Sequence, residues 1–321
     1  MEIKEKYISK IEKNKYYLEK KSIDNFRVAT YNIHYWTDVW ENNTLNKIIK
    51  DIKYINADII CLQEVVFGKK YIVKGKLINT EKIIDILNNL DYYTIFCNTL
   101  PTWFGGIYGN MICVKNKYVN KIIPSNFILP KSKTRCIVSG DKEGIKETRC
   151  YIVLEMDKYI IIGLHLDVCS ENERKQQIDI IIKLLNGKDY KNKKIILLGD
   201  FNTTNINQYS DDATKNNILK YVYNNDKKNI DNNVIAKLLK NKFRNETYKF
   251  KQLFTVWSGI QSDYIFTKNI KKTKTQILYT KSSDHLPIIL DIKYPKIMRT
   301  KSNISRKYKS RKYKRRRTKK R

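Results

Sequence analysis

Short, almost fully apolar runs recur along this chain, and they constrain its fold more than any other feature. The clearest are Asp58–Leu62, Tyr159–Leu164, Lys194–Leu198 and Leu286–Ile292. Each is rich in Ile or Leu and too short for a buried helix, which is typical of a strand that is covered on both faces. The pattern therefore predicts a layered α/β fold.

Other segments complete the set of expected elements. Further strands are expected at Phe26–Ile33, Tyr92–Cys97, Gly109–Lys115, Asn120–Ile128, Arg149–Met156, Ser262–Thr267 and Thr275–Leu278. Helical periodicity predicts helices at Thr44–Ile55, Glu81–Leu90 and Asn172–Leu185, with more helices in the Asn-rich stretch 203–248. Adjacent strands with short polar joins predict antiparallel hairpins. The expected fold class is α/β, a four-layer αββα sandwich of two mixed sheets with outer helices.

Composition divides the chain into three parts. Residues 1–22 are polar with weak helical periodicity, and we expect an N-terminal helix or arm. Residues 23–297 are expected to form one folded catalytic domain. Residues 298–321 have no apolar periodicity and are expected to form a basic disordered tail. Of the 64 Lys and Arg, 14 fall between Arg299 and Arg321, where there is no acid.

The formal net charge of +32 favours polyanionic partners. Nucleic acid comes first and an anionic membrane second. A composition crowded with Lys, Asn, Ile and Tyr is also typical of AT-rich genomes, which explains much of the excess outside the tail equally well. The tail further fits a nuclear localisation signal. The oligomeric state stays open, with a monomer as the expectation.

Six scattered cysteines form no C-x-x-C pair and no zinc-finger spacing. Several fall in apolar runs, so reduced, buried thiols in an intracellular protein are expected. The charged N-terminus does not resemble a secretory signal, and no apolar run approaches the length of about 18 residues that a membrane span needs.

Polar side chains recur where the apolar strands end. They are Asn32, Glu64, His165, Asp200 with Asn202, and Asp284 with His285. Singly, each is more often a solvated loop residue than a functional one. Together they predict one rigid rim of acids, carboxamides and histidines. All three histidines of the chain, His34 included, lie beside these positions.

This set of side chains favours a particular chemistry. Oxygen ligands select a hard cation, Mg²⁺ with Mn²⁺ as a substitute, because zinc would require more His or Cys. Such a cation stabilises the charge that develops on a phosphoryl group, and a His beside an Asp serves as a base near neutral pH. The set predicts hydrolysis of a phosphoester by water. No phosphate-binding glycine loop is present, and adjacent Asp284 and His285 do not suit a serine triad.

Seven short blocks resemble the endonuclease/exonuclease/phosphatase superfamily, in the order in which the family carries them. They are Tyr31-Asn32-Ile33, Leu62-Gln63-Glu64, Gly109-Asn110-Met111, Leu164-His165-Leu166, Gly199-Asp200-Phe201-Asn202, Ser262-Asp263-Tyr264-Ile265-Phe266 and Ser283-Asp284-His285-Leu286-Pro287. Together they span residues 26–293. The Gly-Asp-Phe-Asn and Ser-Asp-His-x-Pro blocks are the most specific.

The resemblance implies a role for each matching position. It implies that Glu64 is the principal metal ligand, supported by Asn32 and Asp284. It implies that His285 is the general base or transition-state partner and that Asp263 orients it. By the same resemblance, Asp200 activates water or handles the leaving oxygen, Asn202 contacts the phosphate, and His165 is a second active-site histidine.

Two further positions are expected to bind substrate, again by resemblance. Arg149 lies where relatives place a phosphate-contacting arginine, although a surface arginine is the plainer interpretation. Trp257 lies where relatives place an aromatic that stacks on the substrate, although a core tryptophan is equally compatible. His165 stands where abasic-site endonucleases carry a Tyr-and-Asn block. The resemblance therefore favours the tyrosyl-DNA phosphodiesterase-like branch over the abasic-site branch.

Three functions remain open on the sequence alone. The leading one is a nucleic-acid phosphodiesterase, either a nuclease or a DNA end-processing enzyme, with the basic tail adding affinity. The second is a lipid or small-molecule phosphodiesterase or phosphatase of the sphingomyelinase or inositol-phosphate type. The third is a non-catalytic nucleic-acid-binding protein, which the intact set of acids, amides and histidines argues against.

Overall fold

The computed structural model of the chain describes residues 1–101, 107–133 and 148–293, without the side chains of residues 100 and 101. The basic tail expected at 298–321 lies outside these residues. In the described part, no helix has the length and apolar character that crossing a membrane requires.

Six α-helices and fourteen strands make up the regular structure of the described residues. The helices are α1 Glu2–Glu12, α2 Leu45–Ile55, α3 Ile83–Asn89, α4 Glu171–Leu185, α5 Asp212–Asn217 and α6 Val234–Lys240. The strands are β1 Asn25–Asn32, β2 Ile59–Phe67, β3 Lys70–Val73, β4 Lys76–Asn79, β5 Tyr92–Pro101, β6 Ile107–Lys115, β7 Ile122–Ile128, β8 Cys150–Met156, β9 Tyr159–His165, β10 Lys194–Asp200, β11 Arg244–Asn245, β12 Asp263–Lys268, β13 Thr273–Ile277 and β14 Ile288–Lys293.

Two six-stranded mixed sheets carry the fold. The first has the order β13-β14-β1-β2-β6-β5 and the second the order β11-β12-β10-β9-β8-β7. The pairs β1–β2 and β9–β10 are parallel, whereas β5–β6, β7–β8 and β8–β9 are the antiparallel neighbours that the sequence predicted. The additional small hairpin β3–β4 was not predicted.

The apolar runs are continuous because both faces of each central strand are buried. In β10, Ile196 and Leu198 point into the layer between the sheets, while Ile195 and Leu197 point toward the layer beneath α4 and α6. The first sheet is covered on its outer face by α2 and α3 in the same way. The predicted four-layer αββα sandwich is confirmed.

Residues 1–22 contain helix α1 and then an extended segment that crosses the edge of the first sheet. Tyr7 and Ile11 of α1 pack into the layer between the sheets. Near its end, the segment meets Arg27, whose buried guanidinium pairs with Asp291 on β14 at 2.7 Å and donates to the Glu19 carbonyl at 2.9 Å. The N-terminal segment is therefore attached to the domain at two places, through helix α1 and near Leu18 and Glu19.

The cysteines differ in one respect from the expectation. Cys61, Cys97, Cys113 and Cys150 are buried free thiols, as predicted. Cys169, in the loop between β9 and α4, is disulfide-bonded. The expectation of uniformly reduced thiols is wrong at this position, because Cys169 lies in a loop rather than in an apolar strand.

Candidate active site

The expected residues meet at one end of the sandwich. The parallel strands β1, β9 and β10 all finish there, in Asn32, His165 and Asp200. The antiparallel strand β12 begins there with Asp263 opposite Asp200, because its register is fixed by pairing with β10. A hydrogen bond of 3.1 Å from Asn32 Nδ2 to Asp200 Oδ2 joins the two sheets across this rim.

The backbone at Glu64 differs from the prediction. The strand does not end before it: β2 continues to Phe67 through an irregularity between Leu62 and Val65. Glu64 adopts a φ of +57° there, which turns its carboxylate toward Asn32, and Asn32 Nδ2 donates to Glu64 Oε1 at 3.1 Å. Burial, and then the nearby negative charge of Asp284, raise the pKa of Glu64, while His34 and His285 oppose the shift.

Asn32 forms three hydrogen bonds within the rim. Its amide nitrogen donates to both Glu64 and Asp200, and its Oδ1 accepts from the His34 backbone N–H at 3.1 Å. Asn32 thereby holds two carboxylates that would otherwise repel each other. Its expected role as a metal ligand would use the one oxygen that already accepts from His34.

His285 and Asp263 form a buried hydrogen-bonded pair. Nδ1 of His285 lies 2.8 Å from Asp263 Oδ2, and its Nε2 lies 3.9 Å from both Asp200 Oδ2 and Asp284 Oδ1. Burial alone would lower the pKa of His285, but the carboxylates of Asp263, Asp284 and Asp200 raise it well above its usual value. Burial also raises the pKa of Asp263, against the opposing charge of His285.

Asp200 is buried at the centre of the rim. Its Oδ1 accepts from the Asn202 backbone N–H at 2.9 Å, and its Oδ2 accepts from Asn32 and lies 3.5 Å from His165 Nε2. Burial would raise the pKa of Asp200, yet the two histidines and these hydrogen bonds lower it. Asp200 is therefore an ionised acceptor that faces the site.

His165 has the opposite electrostatic environment to His285. Burial, and then the positive charge of Arg149, lower its pKa well below the usual value, so the ring is neutral. Arg149 Nη1 lies 3.1 Å from Nδ1, and an arginine only donates, so Nδ1 must accept. The other ring nitrogen, Nε2, lies 3.5 Å from Asp200 Oδ2 and 3.0 Å from the side-chain amide nitrogen of Asn202, which also donates to the Leu166 carbonyl at 3.0 Å.

Arg149 was expected to contact substrate phosphate. It is buried just before β8, where one guanidinium nitrogen contacts His165 and its Nε has no hydrogen-bond partner. The interpretation as an ordinary surface arginine is wrong, because the side chain is only 4% exposed. Its phosphate-binding role stays a prediction.

Trp257 lies in the loop before β12 and is half-buried. Its backbone N–H donates to the Asp284 carbonyl at 2.9 Å, so the loop is attached directly to the Ser283-Asp284-His285 segment. Lys4 Nζ lies 5.6 Å from the centroid of the Trp257 ring and 5.5 Å from that of Trp40, and it donates to the Val39 carbonyl. The ammonium group of Lys4 therefore lies against the Trp257 ring, which was expected to stack on the substrate.

Sequence reasoning missed the contribution of α1 to this region. The Tyr7 hydroxyl is buried without a hydrogen-bond partner, and burial followed by the charges of Asp284 and Asp263 raises its pKa well above the usual value. The helix lies before the seven blocks that resemble the family, and its periodicity is weak. Only the pairing of Tyr7 with Ile11 at i, i+4 could have indicated an inward face.

His34 also has a more specific place than the sequence indicated. His34, Tyr35 and Trp36 adopt φ values of +43°, +42° and +69° in one tight turn after β1. His34 Nδ1 lies 3.7 Å from Asp284 Oδ1 and 3.0 Å from the Thr37 hydroxyl. The turn brings a third histidine to the rim.

The charges of the rim suit a divalent cation. In the described structure, Glu64, Asp200, Asp263 and Asp284 form no ion pair with any Lys or Arg, although the chain carries 64 of them; their charged neighbours are histidines. Single potential ligand atoms of Asp200, Asp263 and His285 lie within 4.8 Å of one another. Within this group His285 Nδ1 is already hydrogen-bonded to Asp263, whereas Glu64 and Asp284 are further carboxylates of the same rim. Their oxygens fit a divalent ion.

Comparison with known proteins agrees with this arrangement. The sequence profile of the Endonuclease/Exonuclease/phosphatase family matches residues 29–285, whereas a search of curated protein sequences found no match. Solved structures share the fold at low identity. An endonuclease/exonuclease/phosphatase from Beutenbergia cavernae has a TM-score of 0.58 and 17% identity, over 84% of this chain and 72% of its own.

Two further structures share the fold at similar identity. The human Nocturnin catalytic domain, solved with a bound sulfate anion, has a TM-score of 0.53 and 16% identity, over 84% of this chain and 93% of its own. ANGEL2, a 2′,3′-cyclic phosphatase, has a TM-score of 0.50 and 17% identity, over 84% and 95%. With the matched profile covering all of the rim residues, the chain belongs to the Endonuclease/Exonuclease/phosphatase family, whose members are phosphoester-hydrolysing enzymes.

Proposed function

We propose that the protein is a Mg²⁺-dependent phosphodiesterase that acts on nucleic acid, as a nuclease or a DNA end-processing enzyme. The observation that carries the proposal is the rim itself. Four carboxylates face one space without a Lys or Arg ion pair among the described residues, while the rest of the chain is strongly basic. A divalent cation would offset part of that negative charge and so allow an anionic phosphodiester to approach.

When bound, a divalent cation would stabilise the charge on the phosphoryl oxygens as a Lewis acid. Glu64 and Asp284 would hold it, with Asn32 keeping Glu64 in place. Mg²⁺ suits these hard oxygen ligands, and Mn²⁺ is the expected substitute. The side chains of the rim would transfer protons and contact the phosphate.

His285 and Asp200 are the two groups placed to handle protons. Asp263 fixes the ring of His285 through Nδ1, so that Nε2 carries a proton into the site and can donate to a phosphoryl oxygen. Asp200 Oδ2, 3.9 Å from Nε2, is the acceptor for a proton of the attacking water. Asn202 holds Asp200 from the opposite side through its backbone N–H, and its side-chain amide is placed to contact the substrate phosphate, with His165 and Arg149 beside it.

Nucleic acid is favoured as the substrate by the charge of the chain. The net charge of +32 gives any polyanion a large electrostatic association term. His165 at the end of β9 disfavours an abasic-site endonuclease, and a tyrosyl-DNA phosphodiesterase-like linkage remains our choice within the family. Lipid and inositol phosphates are the competing substrates that the test must include.

A substrate panel tests the proposal. The full chain is stripped with EDTA and assayed with and without MgCl₂ on plasmid, single-stranded DNA, RNA, a 5′-tyrosyl oligonucleotide, sphingomyelin and inositol phosphates. We expect Mg²⁺-dependent cleavage of a nucleic-acid substrate. Preferred cleavage of sphingomyelin or inositol phosphates would overturn the nucleic-acid assignment, and no cleavage of any substrate would favour a binding protein.

Paired variants test the residues. Asp284→Ala and His285→Ala should each lower the rate by at least about 10²-fold, by analogy with the loss of one transition-state contact. Asp212→Ala is the matched control, since Asp212 is a surface carboxylate whose side chain is 92% exposed. Wild-type rates for the Asp284 and His285 variants would show that the site is assigned wrongly.

A further inference from the structure

A basic cleft lies at the end of the sandwich opposite the catalytic rim. It has a volume of about 470 Å³ and lies between the extended segment after α1 and helix α2, where Leu18, Lys20, Lys50, Lys53 and Tyr54 line it. Arg27 forms part of its floor, five residues before Asn32 on β1. At about 3.3 Å per residue, the cleft is roughly 17 Å from the rim along that strand.

Three lysines of the cleft are free to bind an anion. Lys20, Lys50 and Lys53 are exposed, and none forms an ion pair within the described residues. The other basic residues are already committed, because Lys21 pairs with Asp58 and Arg27 with Asp291.

The acid beside these lysines does not neutralise them. Glu19 is the acidic residue among those that line the cleft, and its carboxylate is paired with Lys274 on β13. The lysines around the cleft therefore present three uncompensated positive charges.

Two aromatic rings lie beside these charges in a fixed orientation. Tyr16 and Tyr54 stack with centroids 5.1 Å apart at an interplanar angle of 16°. Their hydroxyls are held, since Tyr16 donates to Asp51 at 2.9 Å and Tyr54 accepts from the Leu18 N–H at 3.1 Å. Tyr16 and Tyr54 nevertheless remain 51% and 41% exposed as residues. Fixed rings beside lysines form the kind of surface on which nucleic-acid bases stack while phosphates are neutralised.

The last described strand ends beside the cleft. Lys293, the last residue of β14, pairs with Asn25 at the start of β1, next to the cleft. The sequence that follows, residues 294–321, contains 15 Lys and Arg and no acid. The most basic part of the protein therefore begins at the end of the sandwich that carries the cleft.

We propose that Lys20, Lys50, Lys53 and the Tyr16–Tyr54 pair bind a single strand of nucleic acid away from the catalytic rim. The inference rests on the proposed function, since it makes this strand a distant part of the substrate. Because β1 is buried, a nucleic-acid strand that reaches both places must follow the surface and cover at least about 17 Å, or at least about five nucleotides at the 3.4 Å rise of a duplex strand. The cleft therefore favours long substrates over short ones.

Lysine footprinting in EDTA tests binding at this place without requiring turnover. The full chain is acetylated with and without a 30-nucleotide single strand, and the modified lysines are quantified by mass spectrometry. We expect protection of Lys20, Lys50 and Lys53 and none of Lys183, Lys188 and Lys191, exposed lysines near the end of α4. Equal modification of the first three with and without DNA would overturn the proposal. So would protection by phosphatidylserine vesicles but not by DNA.

Substitution measures the contribution of the surface. The triple variant Lys20→Gln, Lys50→Gln, Lys53→Gln should reduce the slope of log K against log salt by about two, at about 0.7 per phosphate contact on a single strand. The same changes at Lys183, Lys188 and Lys191 remove equal charge as the control. Equal slopes in the two triple variants would refute a specific role for the cleft.

Kinetics separate this proposal from the proposed function. The cleft triple variant should raise KM for a 30-mer several-fold and leave turnover of a small chromogenic phosphodiester unchanged. Equal KM values for wild type and variant would refute the contribution to substrate choice. If the wild type cleaves nothing but footprinting shows protection, the proposed hydrolysis fails while the binding surface stands.

Discussion

At Gly199, an added Cβ atom would disturb both the sheet and the candidate site. It lies on β10, one residue before Asp200, opposite Leu164 on β9. A Cβ at Gly199 would lie 2.0 Å from the Leu164 carbonyl oxygen and 2.8 Å from its carbonyl carbon, and φ there is +152°. Both neighbours are backbone atoms, so Gly199→Ala can be accommodated only by moving one strand away from the other.

The size of the effect follows from these distances. Ordinary contact for a Cβ begins near 3.4 Å, so β9 and β10 must separate locally by about 1.4 Å. A bond such as Leu166 N–H to the Asp200 carbonyl, now 2.9 Å, then exceeds hydrogen-bonding distance. A buried, unsatisfied backbone group costs about 1–3 kcal/mol, and overpacking adds about 1–3 kcal/mol. We expect the free energy of unfolding to fall by about 2–6 kcal/mol.

Urea unfolding followed by circular dichroism measures this loss, with activity measured on the folded fraction. Activity should fall further than stability alone explains, because the 3.5 Å separation of His165 and Asp200 spans the displaced strands. Gly75→Ala is the control. Gly75 has a φ of +74° and no heavy atom within 4 Å of its would-be Cβ, so the change should cost only about 1 kcal/mol. Similar unfolding midpoints for the two variants would refute the steric argument.

Three further predictions concern other parts of the molecule. Arg27→Leu should lower the free energy of unfolding, measured in urea, by about 3–5 kcal/mol, because the buried Asp291 carboxylate loses its ion-pair partner. Adding Asp291→Leu should recover most of this loss, and a double variant as unstable as the single one would contradict the reasoning. Lys4→Met should shift tryptophan fluorescence by removing the cation over Trp257, whereas an unchanged spectrum would exclude that contact. Deleting 299–321 should weaken DNA binding at moderate salt without affecting turnover of a small ester, and lost turnover would contradict a separable tail.

The sheets could be predicted because their strands are buried on both faces. In Ile195–Leu198, every residue is apolar since alternate side chains enter two different core layers. Such a run stands out in a chain with abundant Lys and Asn. The positions of His165 and Asp200 followed from the same signal, because parallel strands that end together place their last residues side by side.

Other features had no comparable signal in the sequence. Glu64 appeared to follow a strand, whereas the strand continues through it and a local irregularity turns its carboxylate to the rim. The hairpin Lys70–Val73 and Lys76–Asn79 is half exposed and alternates too briefly to be recognised. The extended part of the N-terminal segment makes single contacts at irregular intervals, so periodicity could not reveal it.

Backbone strain at the rim is best explained by function. Glu64 and the turn from His34 to Trp36 hold positive φ values that are unfavourable for bulky side chains, and each costs of order 1 kcal/mol or more. Specific bonds stabilise them, since the Trp36 indole donates to the Val66 carbonyl at 2.7 Å and the Tyr71 hydroxyl donates to the Tyr35 carbonyl at 2.6 Å. A glycine or asparagine would relieve the strain at Glu64 but would remove a carboxylate from the rim. The fold therefore retains an unfavourable conformation at the point where a charge is required.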